Sequence, residues 1–296
     1  MGLLHAVHEE VLARLGAVGI AARRAVESIL SGQHRSIHRG LSVEFAGHRP
    51  YQPGDDPRRI DWQVFARTDR LDVRQYEEET RLRATLVVDY SGSMGYGDGR
   101  KLHRARMLAA ALATLMVRQG DAVSLAVVDH RLRHHLPPGS TMPHLIGLLD
   151  RLQDQEPGGE TALATVLETL AQRLRQRGLV ILVSDCLDDP GPLARSLQLL
   201  HYRRQDIRVF QILDDDEEDL PFSGPCRFVG LEDDGQLVLD ADRVRTHYRE
   251  TVAAHRQALR RGCHSAGVLF HACRASDDLA QVLLGALGEA VEGVRR

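Results

Sequence analysis

The feature that most constrains the fold of this chain is a series of short, mostly apolar runs that recur between helical stretches. These runs are rich in Val, Ile and Leu and cover residues 85–88, 122–128, 179–183 and 207–213. Strands without polar alternation must be covered on both faces, which is typical of parallel strands packed between helices. Apolar residues at helical spacing occupy 101–118, 161–175 and 193–202. The pattern predicts an α/β fold with a doubly wound, mostly parallel sheet.

The first third of the chain differs from this pattern. Helical spacing at 4–30 is followed by an Arg- and Asp-rich stretch, with short alternating strands predicted at 41–45 and 71–76. We therefore divide the chain into an N-terminal helical and short-strand extension at 1–83 and an α/β domain at 84–296 that includes a small β excursion near 222–240. Within the extension, the sole tryptophan, Trp62, is expected to bury its ring in a structural cluster with Arg58 and Asp61, with an interaction surface as the alternative.

Composition excludes several classes of protein. A net charge of −3 does not suit binding to nucleic acid, which needs clustered positive charge. No apolar run approaches the roughly 20 residues of a membrane span. The four cysteines are widely spaced, without a Cys-x-x-Cys pair, and fit reduced thiols in a cytoplasmic protein. The acidic run 214–219 is expected to be a solvated loop, with a docking surface as the alternative.

A carboxylate and two hydroxyls follow the first of the apolar runs. Asp89, Ser91 and Ser93 lie at alternate positions before a glycine-rich loop and a helical stretch. Open α/β sheets bind ligands beyond the carboxyl ends of their strands, which is where this motif lies. Taken alone, the motif fits a divalent-cation site and an Asp/Ser turn that caps the next helix equally well.

Two further oxygen-rich turns favour the cation site. Thr161 follows a Gly-Gly pair, with Glu160 between, and Asp185 follows the run 179–183, so both can meet the first motif at one sheet edge. Singly, Thr161 could be a helix N-cap and Asp185 could cap the turn before Pro190. Two carboxylates and three hydroxyls suit Mg²⁺, Mn²⁺ or another divalent cation. The predicted ligands are Asp89, Ser91, Ser93, Thr161 and Asp185.

Enzymatic interpretations find less support. The glycine-rich loop after Ser93 matches neither the P-loop nor the dinucleotide-binding pattern, and no Gly-x-Ser-x-Gly motif is present. The remaining enzymatic alternative is a magnesium-dependent phosphohydrolase. It would use Asp89 and a phosphate clamp from Arg58, Arg59 or Arg67.

The Arg- and Asp-rich stretch also carries a family resemblance. It reads Gly47-His48-Arg49-Pro50-Tyr51-Gln52-Pro53-Gly54-Asp55-Asp56-Pro57-Arg58-Arg59-Ile60-Asp61-Trp62, then Ala66-Arg67-Thr68, then Val73-Arg74-Gln75-Tyr76-Glu77-Glu78-Glu79. This resembles the bacterial domain of unknown function 58 family, von Willebrand factor A-like proteins often encoded beside MoxR-type AAA+ ATPases. The likeness is dense over about 34–95 and looser through Phe228-Val229-Gly230-Leu231-Glu232.

The resemblance implies a von Willebrand A-like, Rossmann-type fold and specific roles at the site. By analogy with metal-ion-dependent adhesion sites, Ser91, Ser93 and Thr161 would bind the cation directly, and Asp89 and Asp185 would act through water. The resemblance further implies a non-enzymatic adaptor or co-chaperone. Its expected partners are a MoxR-type AAA+ ATPase and a client protein that offers a carboxylate to the metal.

Overall fold

The computed structural model describes residues 43–52, 55–57, 60–78, 82–232 and 235–292, which belong to two compact units that divide between residues 81 and 82. The helical segment predicted at 4–30 lies outside the described residues. None of the helices in the described ranges is long and apolar enough to cross a lipid bilayer.

The smaller unit consists of an antiparallel strand pair and one short helix. Strand β1 (Val43–Pro50) pairs with β2 (Asp72–Glu78), and helix α1 (Trp62–Thr68) lies between them in sequence. Asp61 begins the helix, because its carboxylate accepts the backbone N–H of Gln63 at 3.0 Å. The Trp62 side chain is 59% exposed, so the prediction that its ring is buried was wrong.

The larger unit contains a six-stranded sheet, a separate hairpin and seven helices among the described residues. Its strands are β3 (Arg83–Asp89), β4 (Ala122–Val128), β5 (Leu132–Gly139), β6 (Gly178–Ser184), β7 (Gln205–Leu213), β8 (Pro225–Val229), β9 (Gln236–Asp240) and β10 (Leu269–Arg274). Its helices are α2 (Tyr96–Arg118), α3 (Met142–Gln153), α4 (Leu163–Arg173), α5 (Pro190–Tyr202), α6 (Asp215–Asp219), α7 (Ala241–Ser265) and α8 (Leu279–Glu292).

The sheet has the order β10-β7-β6-β3-β4-β5, and only β5 runs antiparallel to its neighbour. The central strand β3 is buried on both faces, between two layers of helices. Leu86 packs in the core formed with α2 and α3, whereas Val87 packs in the core formed with α4 and α5. The prediction of a doubly wound, mostly parallel α/β sheet is confirmed, because alternate residues of an apolar strand supply both helical layers.

The connection after β3 brings polar atoms to the carboxyl edge of the sheet. A 3₁₀ turn covers Gly92–Gly95, and Gly97, Asp98 and Gly99 then have φ angles of 63°, 56° and 79°. These left-handed residues interrupt the start of α2, which becomes regular only after them. The tight turn keeps the two serines at the end of β3, next to the end of β6.

Two elements near this edge matter for the site. Strands β8 and β9 form an antiparallel hairpin, in the region where the sequence indicated a β excursion. The acidic run forms α6 instead of the expected solvated loop. Asp214 and Glu217 make a capping box at its start, and Asp214 is buried. Local capping and ion pairs therefore fold a stretch whose composition indicated a loop.

Asp121, directly before β4, is hydrogen-bonded to the residue directly before β3. Its buried carboxylate accepts the backbone N–H of Leu82 at 2.9 Å, just before β3. Burial raises the pKa of Asp121 to about 6, although the Leu82 N–H opposes the rise. Because the folded-state pKa exceeds the unfolded value, the folded state loses stability as the pH rises through about 6.

We expect Asp121→Asn, which keeps an acceptor for the Leu82 N–H, to be more stable than the unsubstituted chain. The gain in the free energy of unfolding should be about 1 kcal/mol larger at pH 8 than at pH 5, after a discount for partial solvent screening. Urea unfolding at both pH values measures this difference. Asp150→Asn, on the exposed side of α3, is the control. An Asp121→Asn effect that is equal at both pH values would contradict the assignment.

Candidate metal site

Asp89 ends the central strand and is fully buried. Its Oδ1 accepts the backbone N–H of Ser91 at 2.8 Å, and its Oδ2 accepts the hydroxyl of Ser184 at 2.6 Å. The pKa of Asp89 is raised to about 7, first by burial and then by the charge of Asp185. Two like charges thus lie close together at the ends of β3 and β6, in an environment that favours an added cation.

The two serine hydroxyls lie side by side. Ser91 Oγ and Ser93 Oγ are 3.1 Å apart, and the 3₁₀ turn that contains Ser93 holds them together. Adjacent oxygens in an octahedral shell with metal–oxygen distances of about 2.1 Å are separated by about 3.0 Å. The hydroxyl pair therefore has the spacing that two neighbouring ligands of Mg²⁺ require.

Asp185 is the second buried carboxylate at this edge. Its Oδ2 accepts a hydrogen bond from Lys101 Nζ at 2.8 Å. Its Oδ1 is buried and has no hydrogen-bond partner in the structure. A buried carboxylate oxygen without a partner is costly, and a metal-bound water would remove that cost.

Lys101 was not predicted as part of the site, yet it is the only lysine in the chain. It is fully buried on α2 and donates to Asp185 and, at 2.7 Å, to Glu217. Burial would lower the pKa of Lys101, but the two carboxylates outweigh burial, and its pKa lies above the ordinary value. Burial likewise raises the pKa of Glu217 against the opposing charge of Lys101. The single compact ammonium among so many arginines was the sequence signal for this pair.

Thr161 meets the serine loop through a residue that the sequence analysis did not assign. Its hydroxyl donates to Glu232 Oε1 at 2.7 Å, and its backbone N–H donates to Glu232 Oε2 at 2.9 Å. The backbone N–H of Ser93 donates to the same Oε1 at 2.9 Å. Glu232 lies in the stretch of looser family resemblance, but nothing in its local spacing linked it to residues so distant in sequence.

The alternative helix-cap interpretations were wrong. Helix α2 begins after Gly95 without a side-chain cap, so neither Asp89 nor Ser91 caps it. At the start of α4 the N–H of Leu163 is bonded by Asp188, and Asp189 caps α5. The hydroxyl of Thr161 and the side chain of Asp185 are thus free of the capping roles that competed with metal binding.

The donor set fits a hard divalent cation. The serine hydroxyls and two buried carboxylates lie at the carboxyl ends of β3 and β6, and Thr161 is joined to the serine loop through Glu232. Oxygen ligands of this kind suit Mg²⁺ or Mn²⁺. No group of three or more His, Cys, Asp or Glu side chains in the described ranges is arranged to hold a metal. A cation here would therefore depend on the hydroxyls.

Comparison with known families agrees with this architecture. Residues 47–258 match the family described as "Protein of unknown function DUF58". The chain belongs to this family. The match spans parts of both compact units, and the sheet order agrees with the mostly parallel α/β fold predicted from the sequence.

Several known proteins are similar to the chain. An uncharacterised protein of Mycobacterium tuberculosis is 27% identical over 277 residues, which is 91% of this chain and 86% of that protein. An aerotolerance-related membrane protein from Bacteroides fragilis has a TM-score of 0.50 at 16% identity, covering 71% of this chain and 99% of that one. The vWF domain of the pilus tip protein Mfa5 from Porphyromonas gingivalis has a TM-score of 0.39 at 12% identity, covering 73% and 97%.

The buried ion pair at Lys101 generates a stability prediction. We expect Lys101→Met to lower the free energy of unfolding by about 3–5 kcal/mol, because it leaves the buried carboxylate of Asp185 and the half-buried carboxylate of Glu217 without their cation. Chemical unfolding measures this loss. The matched control is Arg100→Met, whose guanidinium is 53% exposed and should matter far less. Equal losses in the two variants would contradict the prediction.

Proposed function

We propose that this chain is a non-enzymatic protein-binding module that uses a divalent cation, Mg²⁺ or Mn²⁺, at the carboxyl ends of β3 and β6. Two observations carry the proposal: a pair of hydroxyls 3.1 Å apart after β3, and a buried, unpartnered oxygen of Asp185 directly after the neighbouring strand β6. Ser91 and Ser93, with Thr161, would contact the ion, and the buried carboxylates would hold its waters. Few direct carboxylates leave the ion positive enough to attract a carboxylate from a partner protein.

The surroundings of Asp89 support binding over catalysis. A phosphohydrolase would need Asp89 as an accessible nucleophile, but both of its oxygens accept hydrogen bonds inside the core. Of the arginines considered for a phosphate clamp, Arg67 lies in the smaller unit and the other two fall outside the described residues. Arg100, next to the site in sequence, is engaged by Asp214 and Asp216.

The proposed partner rests on the family resemblance. We extend the proposal to an adaptor or co-chaperone role with a MoxR-type AAA+ ATPase, acting on a client protein that presents a carboxylate. We place this role in the cytoplasm, because all four cysteines are free thiols and three of them are buried.

Metal binding is the first test of the proposal. We expect Mn²⁺ to bind the chain with one high-affinity site by electron paramagnetic resonance, and Mg²⁺ to compete for it. Ser91→Ala/Ser93→Ala should weaken binding by more than about 100-fold, because two direct ligands are lost and even outer-shell changes cost 10–100-fold. Ser223→Ala/Ser265→Ala is the control pair. Unchanged Mn²⁺ binding in the Ser91→Ala/Ser93→Ala variant would reject this site.

Partner capture is the second test. Pull-downs from the native cell in Mg²⁺ and in chelator should differ, with the MoxR-type ATPase or the client recovered only in Mg²⁺ and only with both serines present. Identical partner sets in all conditions would reject cation-dependent recognition. Magnesium-dependent hydrolysis of p-nitrophenyl phosphate that disappears in Asp89→Ala would reject the non-enzymatic proposal.

A further inference from the structure

The side chain of Glu232 lies where the two hydroxyl-bearing loops meet. It is provided by the connection between β8 and β9, which is 139 residues from Ser93 in sequence. Its Oε1 accepts the Ser93 N–H and the Thr161 hydroxyl, and its Oε2 accepts the Thr161 N–H. One carboxylate thus bridges the loops that would provide all three hydroxyl ligands of the cation.

The serine loop is shaped to receive this segment. A Cβ at Gly92 would lie 2.5 Å from the carbonyl oxygen of Leu231 and 3.0 Å from Cγ of Glu232. Contacts this short are not tolerated, so only glycine between the two serines lets the backbone of Leu231 approach. The close approach is therefore a built feature of the site, independent of the hydrogen bonds of Glu232.

The hairpin that carries Glu232 has several exposed apolar side chains. Val229 is 56% exposed, Leu237 57% and Val238 67%, so much of the hairpin's apolar surface faces solvent. Segments with little buried apolar surface open at low free-energy cost. We therefore expect the hairpin to separate from the serine loop at low free-energy cost.

We infer that Glu232 is an internal ligand of the cation, which occupies the position that a partner's carboxylate takes. This inference rests on the proposed function and adds a means of regulation to it. A carboxylate that accepts the Ser93 N–H beside Ser93 Oγ has the chemistry of the partner's group and needs no second molecule. A partner must displace Glu232, so binding couples to movement of the β8–β9 hairpin.

The inference predicts a competition whose size can be measured. An internal ligand that fills the position nine-tenths of the time raises the apparent Kd of an external carboxylate by about 10-fold. With Mn²⁺ and acetate as probes, Glu232→Ala should bind acetate about 10-fold more tightly than the unsubstituted chain. Without acetate, pulsed electron paramagnetic resonance in D₂O should count about one more water on its Mn²⁺.

Two more variants test the same point in different ways. Glu232→Gln retains the size of the side chain and removes its charge, and it should move acetate affinity in the same direction. Gly92→Ala displaces Leu231 and Glu232 while leaving the carboxylate intact, and it should also gain a water and bind acetate more tightly. The controls are Glu250→Ala, exposed on α7, and Gly158→Ala, where an added Cβ meets no atom within 4 Å.

The outcomes separate this inference from the proposed function. If all three variants have the same water count and acetate affinity as the unsubstituted chain, the inference that Glu232 is an internal ligand is overturned. If the Ser91→Ala/Ser93→Ala variant still weakened Mn²⁺ binding, the metal site would stand. Absence of Mn²⁺ binding in the unsubstituted chain would overturn both. An added water and tighter acetate binding in the variants, with unchanged controls, supports the inference.

Discussion

The structure depends on placing two carboxylates at the buried ends of adjacent parallel strands. Asp89 ends β3 and Asp185 directly follows the neighbouring strand β6, whose Val183 pairs with Val88. Burial and the charge of Asp185 together raise the pKa of Asp89. Hydrogen bonds to Asp89 and the ammonium of Lys101 beside Asp185 offset the cost of burying these two carboxylates. One oxygen of Asp185 remains without a partner, which is where an added cation would contribute most.

The elements around the site follow from that constraint. The 3₁₀ turn brings the serine hydroxyls back over the end of β3, and α6 brings Glu217 to share Lys101 with Asp185. Acidic residues that composition assigned to a loop thus help to hold the buried lysine. The β8–β9 hairpin closes the site from the other side with Glu232, at the position made accessible by Gly92. A partner would meet a surface that already holds one carboxylate.

Comparison of particular residues shows how far the sequence could be interpreted. The central strands and their helices were predicted because apolar period and turn residues are local properties. Asp89, Ser91 and Asp185 were expected at the sheet edge because each lies at or just beyond the carboxyl end of a predicted strand. Trp62 was misjudged, because whether an aromatic ring on a short helix is buried depends on what packs against it. Lys101 and Glu232 were missed because their partners lie 84 and 139 residues away in the chain.

The sequence by itself determined the α/β class, the order of its elements and the kind of donor atoms at the carboxyl edge. These properties follow from periodicity and from residue chemistry, which act over a few neighbouring positions. Only the tertiary structure decided which groups face those donors: a buried ammonium on one side and a carboxylate from the chain's own hairpin on the other. Such long-range pairs arise from packing, because loop closure brings them together without leaving a local pattern.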